Sequence, residues 1–228
     1  MVKKRLPQPP RPEQNSAAGE DVIEPAAAAL IEELPAVRRL ALSYATRAAH
    51  PPFLALLALD AKLGGVVAAA REPVLAQIKL AWWRERLAAP AAERPRGQPL
   101  LVALTCWGGH EPVLIALVEA WEAMLGDAPD AAGLGEARAA AMRSLAHLVG
   151  AGAAAEPAGG AAQVWSAAEL GLPRVPGPAF SLAALPRALR PLVVLAGLGQ
   201  RAARRGQRGL IERPADMLCA IRLGLSGR

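Results

Sequence analysis

The residues of this chain that could do chemistry are acidic side chains within apolar helical segments. Asp60 is the only acid in a helix predicted over residues 53–70. Glu119 and Glu122 stand at i and i+3 on one face of a helix predicted over 111–125, and Glu169 lies in a helix predicted over 161–170. Mg²⁺ prefers oxygen ligands, and carboxylates one helical turn apart can hold it against a diphosphate. These four acids are therefore the candidate catalytic residues, although Glu119 and Glu122 also fit a solvated helix face.

A second candidate group combines cations with aromatic rings on a helix that begins at Glu72-Pro73 and ends before Pro90. Its members are Lys79, Trp82, Trp83 and Arg86, the candidate ligand-binding residues. The helical period places apolar residues on two strips of this helix, so we expect most of its circumference to be packed. Lys79 would then be partly buried and need a carboxylate partner, for which Asp60 is the candidate. Such a pair is either a structural ion pair or a contact to a diphosphate or an acidic partner.

Other kinds of chemical site are not indicated. The histidines, His50, His110 and His147, are isolated, so no metal site is predicted from them. No serine or cysteine stands in a nucleophile-elbow pattern, and no glycine-rich phosphate loop is present. We expect no cofactor unless Mg²⁺ serves the four acids.

The elements that must position these residues are helices. The chain has 228 residues, of which 53% are hydrophobic and only 4% aromatic, with Ala and Leu dominant. This composition predicts an all-α fold. Residues 1–19 are rich in Pro and charge and are predicted to be a disordered tail before a single domain over 20–228. Helices are predicted over 21–34, 36–49, 53–70, 73–89, 100–107, 111–125, 134–149, 161–170, 182–205 and 214–225, with a loop over 150–160.

Two stretches resemble a known family. Residues 56–63 and 71–87, with Glu72-Pro73 and Trp82-Trp83, resemble the N-terminal half of the squalene/phytoene synthase family, and 163–170 is the nearest match to its second aspartate motif. The resemblance implies a truncated isoprenoid-synthase-like helical bundle. The family's first aspartates would fall near Gly64, Gly65 and Ala68 and its last near Leu170, where this chain has no carboxylate. It is therefore most similar to the non-catalytic branch that includes a mitochondrial complex I assembly factor.

The resemblance leaves two functions open. One is a catalytically degenerate pseudoenzyme that binds a protein, a prenyl lipid or a membrane surface. The other is an active Mg²⁺-dependent prenyltransferase of isoprenoid or carotenoid biosynthesis, which would condense prenyl diphosphates with Asp60, Glu119, Glu122 and Glu169. A purely helical scaffold without a ligand is a third interpretation.

Charge and cysteine usage bear on partners and location. The net charge is +6 and the pI near 10.1, but aromatic residues do not alternate with the basic ones, so nucleic acid is not an expected partner. Arginines that follow an apolar segment at 192–198 would suit anionic lipid headgroups or simply the C-terminus of a helix. Two separated cysteines and no visible signal sequence predict a cytoplasmic protein, with peripheral contact to the inner membrane as the alternative.

Overall fold

The fold was obtained as a computed structural model, which describes residues 26–95, 97–172, 181–207 and 209–227. The described residues form ten α-helices joined by short 3₁₀ turns, and no strand occurs among them, so the all-α prediction is confirmed. The predicted disordered tail, residues 1–19, lies outside the described residues. The helices are α1 (26–33), α2 (Ala36–Leu42), α3 (His50–Ala68), α4 (Pro73–Ala88), α5 (Pro99–Ala103), α6 (Glu111–Glu122), α7 (Ala131–Leu148), α8 (Ala155–Glu169), α9 (Arg190–Arg205) and α10 (Pro214–Ser226).

Helix α3 lies at the centre of the bundle. It contacts α2, α4, α5, α6 and α7, and ten of its residues are buried. Its length and hydropathy would also suit a membrane span, but this mostly buried helix has the pattern of a core helix in a folded domain. Around it, α4, α6, α7, α8, α9 and α10 each pack on the next, and α7 with α8 is the most extensive pair. The buried side chains of all these helices form one continuous core.

Proline positions explain several helix starts. Pro73, Pro99, Pro191 and Pro214 lie in the first turns of α4, α5, α9 and α10. A proline there loses no hydrogen bond, because the first N–H groups of a helix have no partner within it. The predicted starts at 73 and 214 are confirmed. Pro51-Pro52 was predicted to separate two helices but lies inside the first turn of α3, and α2 ends at Leu42 rather than near 49.

The loop predicted over 150–160 is wrong, because α8 begins at Ala155 and runs through Gly159 and Gly160. Both glycines are buried, and a Cβ on Gly159 would lie 2.6 Å from Nε of Arg143 on α7. Small residues here let α7 and α8 pack closely. A glycine in a helix costs about 1 kcal/mol relative to alanine, a preference that tertiary packing commonly overrides.

Candidate functional site

A buried network of charges occupies the centre of the bundle, and Asp60 is its hub. Arg138 binds the Asp60 carboxylate with two donors, Nε to Oδ1 at 2.9 Å and Nη2 to Oδ2 at 2.8 Å. Nη2 of Arg38 lies 2.6 Å from Oδ2, and Nε1 of Trp121 donates to Oδ1 at 2.9 Å. Asp60 and Arg138 each expose only 2% of the side chain. Both oxygens of Asp60 are therefore held by protein donors and shielded from water.

Glu169 provides the second carboxylate, at the edge of the network, where 26% of its side chain is exposed. It accepts from Arg38 through Nε at 3.2 Å and Nη2 at 2.7 Å, and its Oε2 lies 2.9 Å from Nη2 of Arg138. The remaining donors also have partners: Nη1 of Arg38 donates to the Leu57 carbonyl and Nη1 of Arg138 to the Ser166 hydroxyl. Two carboxylates thus balance two guanidiniums, and every guanidinium nitrogen has an acceptor.

Four helices supply the polar members of the network and a fifth supplies an aromatic one. Arg38 comes from α2, Asp60 from α3 and Arg138 from α7. Ser166 and Glu169 are i and i+3 on α8, so they lie on one face of that helix. Trp121 comes from α6. The network therefore forms only when these five helices have taken their places, and it fixes their register.

Two indole rings form the walls of the network. The guanidinium carbon of Arg38 lies 5.1 Å and that of Arg138 4.8 Å from the centre of the Trp165 ring, and Arg138 also lies 5.2 Å from the Trp121 ring. Arginine tolerates such burial because its planar, weakly hydrated cation stacks on aromatic faces. The Nε1 group of Trp165 is buried without a hydrogen-bond partner. The Trp165 ring thus contributes its face to the two guanidiniums.

Electrostatics keep the network ionised. Burial alone would raise the pKa of Asp60, but the charges of Arg138 and Arg38 and hydrogen bonds from Arg138 and Trp121 lower it, to about 2. Burial likewise acts to lower the pKa of Arg38, but Asp60 and Glu169 raise it above its ordinary value. A proton acceptor or donor for catalysis near neutral pH needs a pKa near that pH. Asp60 therefore remains a charged structural acceptor rather than an acid or base.

The other predicted catalytic residues do not join this network. Glu119 is exposed on α6, and Glu122 forms a half-exposed ion pair with Arg84 of α4 at 3.0 Å. The four candidate acids therefore converge only as the pair Asp60 and Glu169. Within the described ranges no group of three or more His, Cys, Asp or Glu side chains could hold a metal ion.

The predicted pairing of Lys79 with Asp60 is wrong. Lys79 is exposed, because only one of the two apolar strips of α4 is packed. Trp83 is buried on that strip, whereas Trp82 is half-buried and meets it edge to face, with ring centres 5.0 Å apart. Arg86 is partly exposed and lies 3.8 Å from Glu85. The four candidate ligand-binding residues thus divide between a core face and an outer face of α4 and do not form one site.

Arg38 and Arg138 are the residues of the network that sequence reasoning missed. A signal was present for Arg138. It shares a helical stripe with the buried residues Leu134, Ala141 and Leu145, so it interrupts a core face just as Asp60 does. Two opposite charges that each interrupt an apolar stripe are candidates for a buried pair, since neither could be buried alone.

A groove of about 440 Å³ lies apart from this network, between α1, α3, α4 and α5. It is lined by Leu34, Ala58 and Trp83 and by an ion pair in which Nζ of Lys62 lies 3.7 Å from Oε2 of Glu33. Gly65 also lines it, and a Cβ there would meet no atom within 4 Å. The groove is apolar enough for a hydrocarbon chain but offers no cluster of acids for Mg²⁺.

The chain matches no family model, no curated protein and no solved structure. The interpretation of its function therefore depends on the geometry of the charged network and of the surface.

Proposed function

We propose that this chain is a catalytically degenerate member of the squalene/phytoene synthase family, which acts by binding a partner rather than by condensing prenyl diphosphates. The observation that carries the proposal is that both carboxylate oxygens of Asp60 already have donors from the protein. Asp60 stands on the helix that resembles the family's first aspartate segment, and Glu169 stands in the segment nearest to the second. Nη2 of Arg38 and Nη2 of Arg138 each contact both carboxylates.

The chemistry of a prenyltransferase requires carboxylate oxygens that are available to Mg²⁺ and a diphosphate. Here Arg38, Arg138 and Trp121 hold the Asp60 oxygens, and Glu169 binds the same two arginines. A metal ion bound to both carboxylates would have to displace buried arginines whose carboxylate partners in the network are these same two acids. Removing one partner from a buried ion pair costs about 3–5 kcal/mol, which opposes such an exchange.

The experiment is thermal unfolding of the full chain with and without Mg²⁺ plus farnesyl or geranylgeranyl diphosphate, together with an assay for condensed product. A ligand at about 100 times its dissociation constant would stabilise the fold by about 2.7 kcal/mol. For a domain of this size that corresponds to a rise in Tm of about 5–10 °C. We expect no Mg²⁺-dependent rise and no product.

The variant Glu169→Gln makes the result specific, with Glu122→Gln as its matched control at a half-exposed pair outside the network. A Mg²⁺-dependent rise in Tm that Glu169→Gln abolishes and Glu122→Gln preserves would overturn the proposal. Product formed by the wild-type chain would overturn it as well and would restore the active prenyltransferase.

A further inference from the structure

Helix α10 presents an apolar strip to solvent. Its inner face, with Asp216, Ala220, Leu223 and Gly224, is buried. The opposite face carries Met217, Leu218, Ile221 and Leu225, of which Leu218 is 69% and Leu225 74% exposed. The helical period places these four side chains on one strip along the helix. A helix that is apolar on its outer face as well as its inner one has a second surface to cover.

The surroundings of this strip are positively charged. Within 201–207 and 209–227, the exposed charged side chains are Arg204, Arg205, Arg213 and Arg222 and the single acid Glu212. Asp216, on the buried inner face of α10, joins the basic end of α9 to the start of α10. It accepts from Nε of Arg201 at 2.6 Å and lies 3.9 Å from Nη1 of Arg205.

The same aspartate makes the junction rigid. Its other oxygen accepts from Nε2 of Gln207 at 2.9 Å and from the backbone N–H groups of Glu212 and Arg213 at 3.2 and 3.0 Å. Gln207 at the end of α9 and the backbone at residues 212 and 213 are thereby joined to α10. Arg213 before the first turn of α10 and Arg222 within α10 are exposed on the same helix as the apolar strip.

We propose that α10 lies in the headgroup region of an anionic lipid bilayer, with Met217, Leu218, Ile221 and Leu225 directed to the acyl chains and the arginines bound to lipid phosphates. This names a partner for the proposed binding function, but it uses a surface apart from the Asp60 network. An apolar helix face flanked by arginines is the pattern that binds at anionic membrane interfaces.

Helix α4 has an outer apolar strip too, with Val74, Leu75 and Ile78 exposed. Its borders carry both signs of charge in equal number, since Arg71 and Lys79 are exposed as well as Glu72 and Glu85. An anionic surface would be attracted to α10 more strongly than to α4. The α4 strip therefore provides a control of similar hydrophobicity and different charge.

The test is co-sedimentation of the full chain with unilamellar vesicles of phosphatidylcholine, with and without phosphatidylglycerol. We expect binding to the anionic vesicles that weakens as salt is raised, and much weaker binding to pure phosphatidylcholine. Leu218→Gln with Leu225→Gln should reduce the partition coefficient at least tenfold, whereas Leu75→Gln with Ile78→Gln should leave it near the wild-type value. All four side chains are exposed, so both double variants keep the core intact.

A charge variant, Arg204→Gln with Arg222→Gln, tests the electrostatic part without changing the apolar strip. It should lower the partition coefficient about 10- to 30-fold and flatten the salt dependence. Absence of wild-type binding to anionic vesicles, or equal losses in the α4 and α10 variants, would overturn the proposal. It would also be overturned if light scattering showed a dimer that Leu218→Gln with Leu225→Gln dissociates while vesicle binding persists. Prenyl-diphosphate turnover would refute the proposed function and leave this surface in place, so the two failures are distinguishable.

Discussion

Replacement of Asp60 by asparagine removes the negative charge that Arg38 and Arg138 share. The amide has nearly the shape of the carboxylate, so the variant leaves the volume of the side chain unchanged. It removes the charge and also replaces one accepting oxygen with an NH2 group that faces the donors of Arg138 and of Arg38 or Trp121. In the variant, Arg138 and Arg38 would both face a neutral group at a buried site. Breaking a buried ion pair by removing one partner costs about 3–5 kcal/mol. For a domain of this size the expected fall in Tm is about 6–20 °C.

The pKa of Asp60 gives a second measure of how much its charge stabilises the fold. Its decrease from 3.8 to about 2 on folding corresponds, at about 1.4 kcal/mol per pKa unit, to about 2 kcal/mol of stability. Because the folded pKa is the lower one, this stability is fully present above pH 4. It is lost as the pH falls from about 4 to about 2. The variant should therefore lack that part of the acid-induced loss of stability which Asp60 causes.

The assay is chemical denaturation of both proteins at pH values from 7 to about 2. Glu122→Gln is the matched control, since its partner Arg84 is exposed enough for the pair to contribute no more than about 1 kcal/mol. The account of the network would be refuted if the free energy of unfolding of Asp60→Asn at pH 7 were within about 1 kcal/mol of the wild-type value. It would also be refuted if both proteins lost the same stability between about pH 4 and pH 2.

Two further changes test the packing that surrounds the site. Gly64→Ala should destabilise the fold, because a Cβ on Gly64 would lie 2.9 Å from the Trp121 ring. Gly65→Ala should stabilise it by up to about 1 kcal/mol through helix propensity, because a Cβ there would meet no atom within 4 Å. Equal Tm values for the two variants would contradict this. Asp216→Asn should loosen the turn between α9 and α10, measured as faster amide hydrogen exchange there. Because hydrogen bonds from Arg201 and Gln207 lower the pKa of Asp216, the wild-type turn should stay protected until well below pH 4, and loss of protection at pH 5 would contradict this.

Local signals in the sequence were sufficient for some elements and not for others. The starts of α4 and α10 could be predicted, because a proline at the first turn acts locally and does not depend on what the helix touches. The start of α8 could not. Gly159 is typical of a loop when only the local sequence is considered, and its place in a helix depends on the packing of α8 between α7 and α9, which is not a local signal.

The candidate site shows the same division. Asp60 was singled out because it is the only acid in an apolar helix, which is a local observation. The identity of that partner is not local, since α3 contacts five helices and only their register decides which cation reaches it. Lys79 was chosen because its helix was expected to be packed on most sides, but it is exposed, and a lysine at an exposed position keeps its hydration. Arg138, 78 positions away, has a guanidinium whose fork matches both carboxylate oxygens.

Two carboxylates that approach each other inside a helical bundle must be neutralised, and the source of the positive charge determines what the bundle can do. A bound divalent cation can be exchanged and can extend its remaining coordination positions to a substrate. Arg38 and Arg138 belong to α2 and α7, so their charge arrives with folding and cannot leave without unfolding. Their donors are already used by Asp60, Glu169, Ser166 and a backbone carbonyl. Asp60 and Glu169 thus hold helices together, and the groups that remain available to a partner are on the surface.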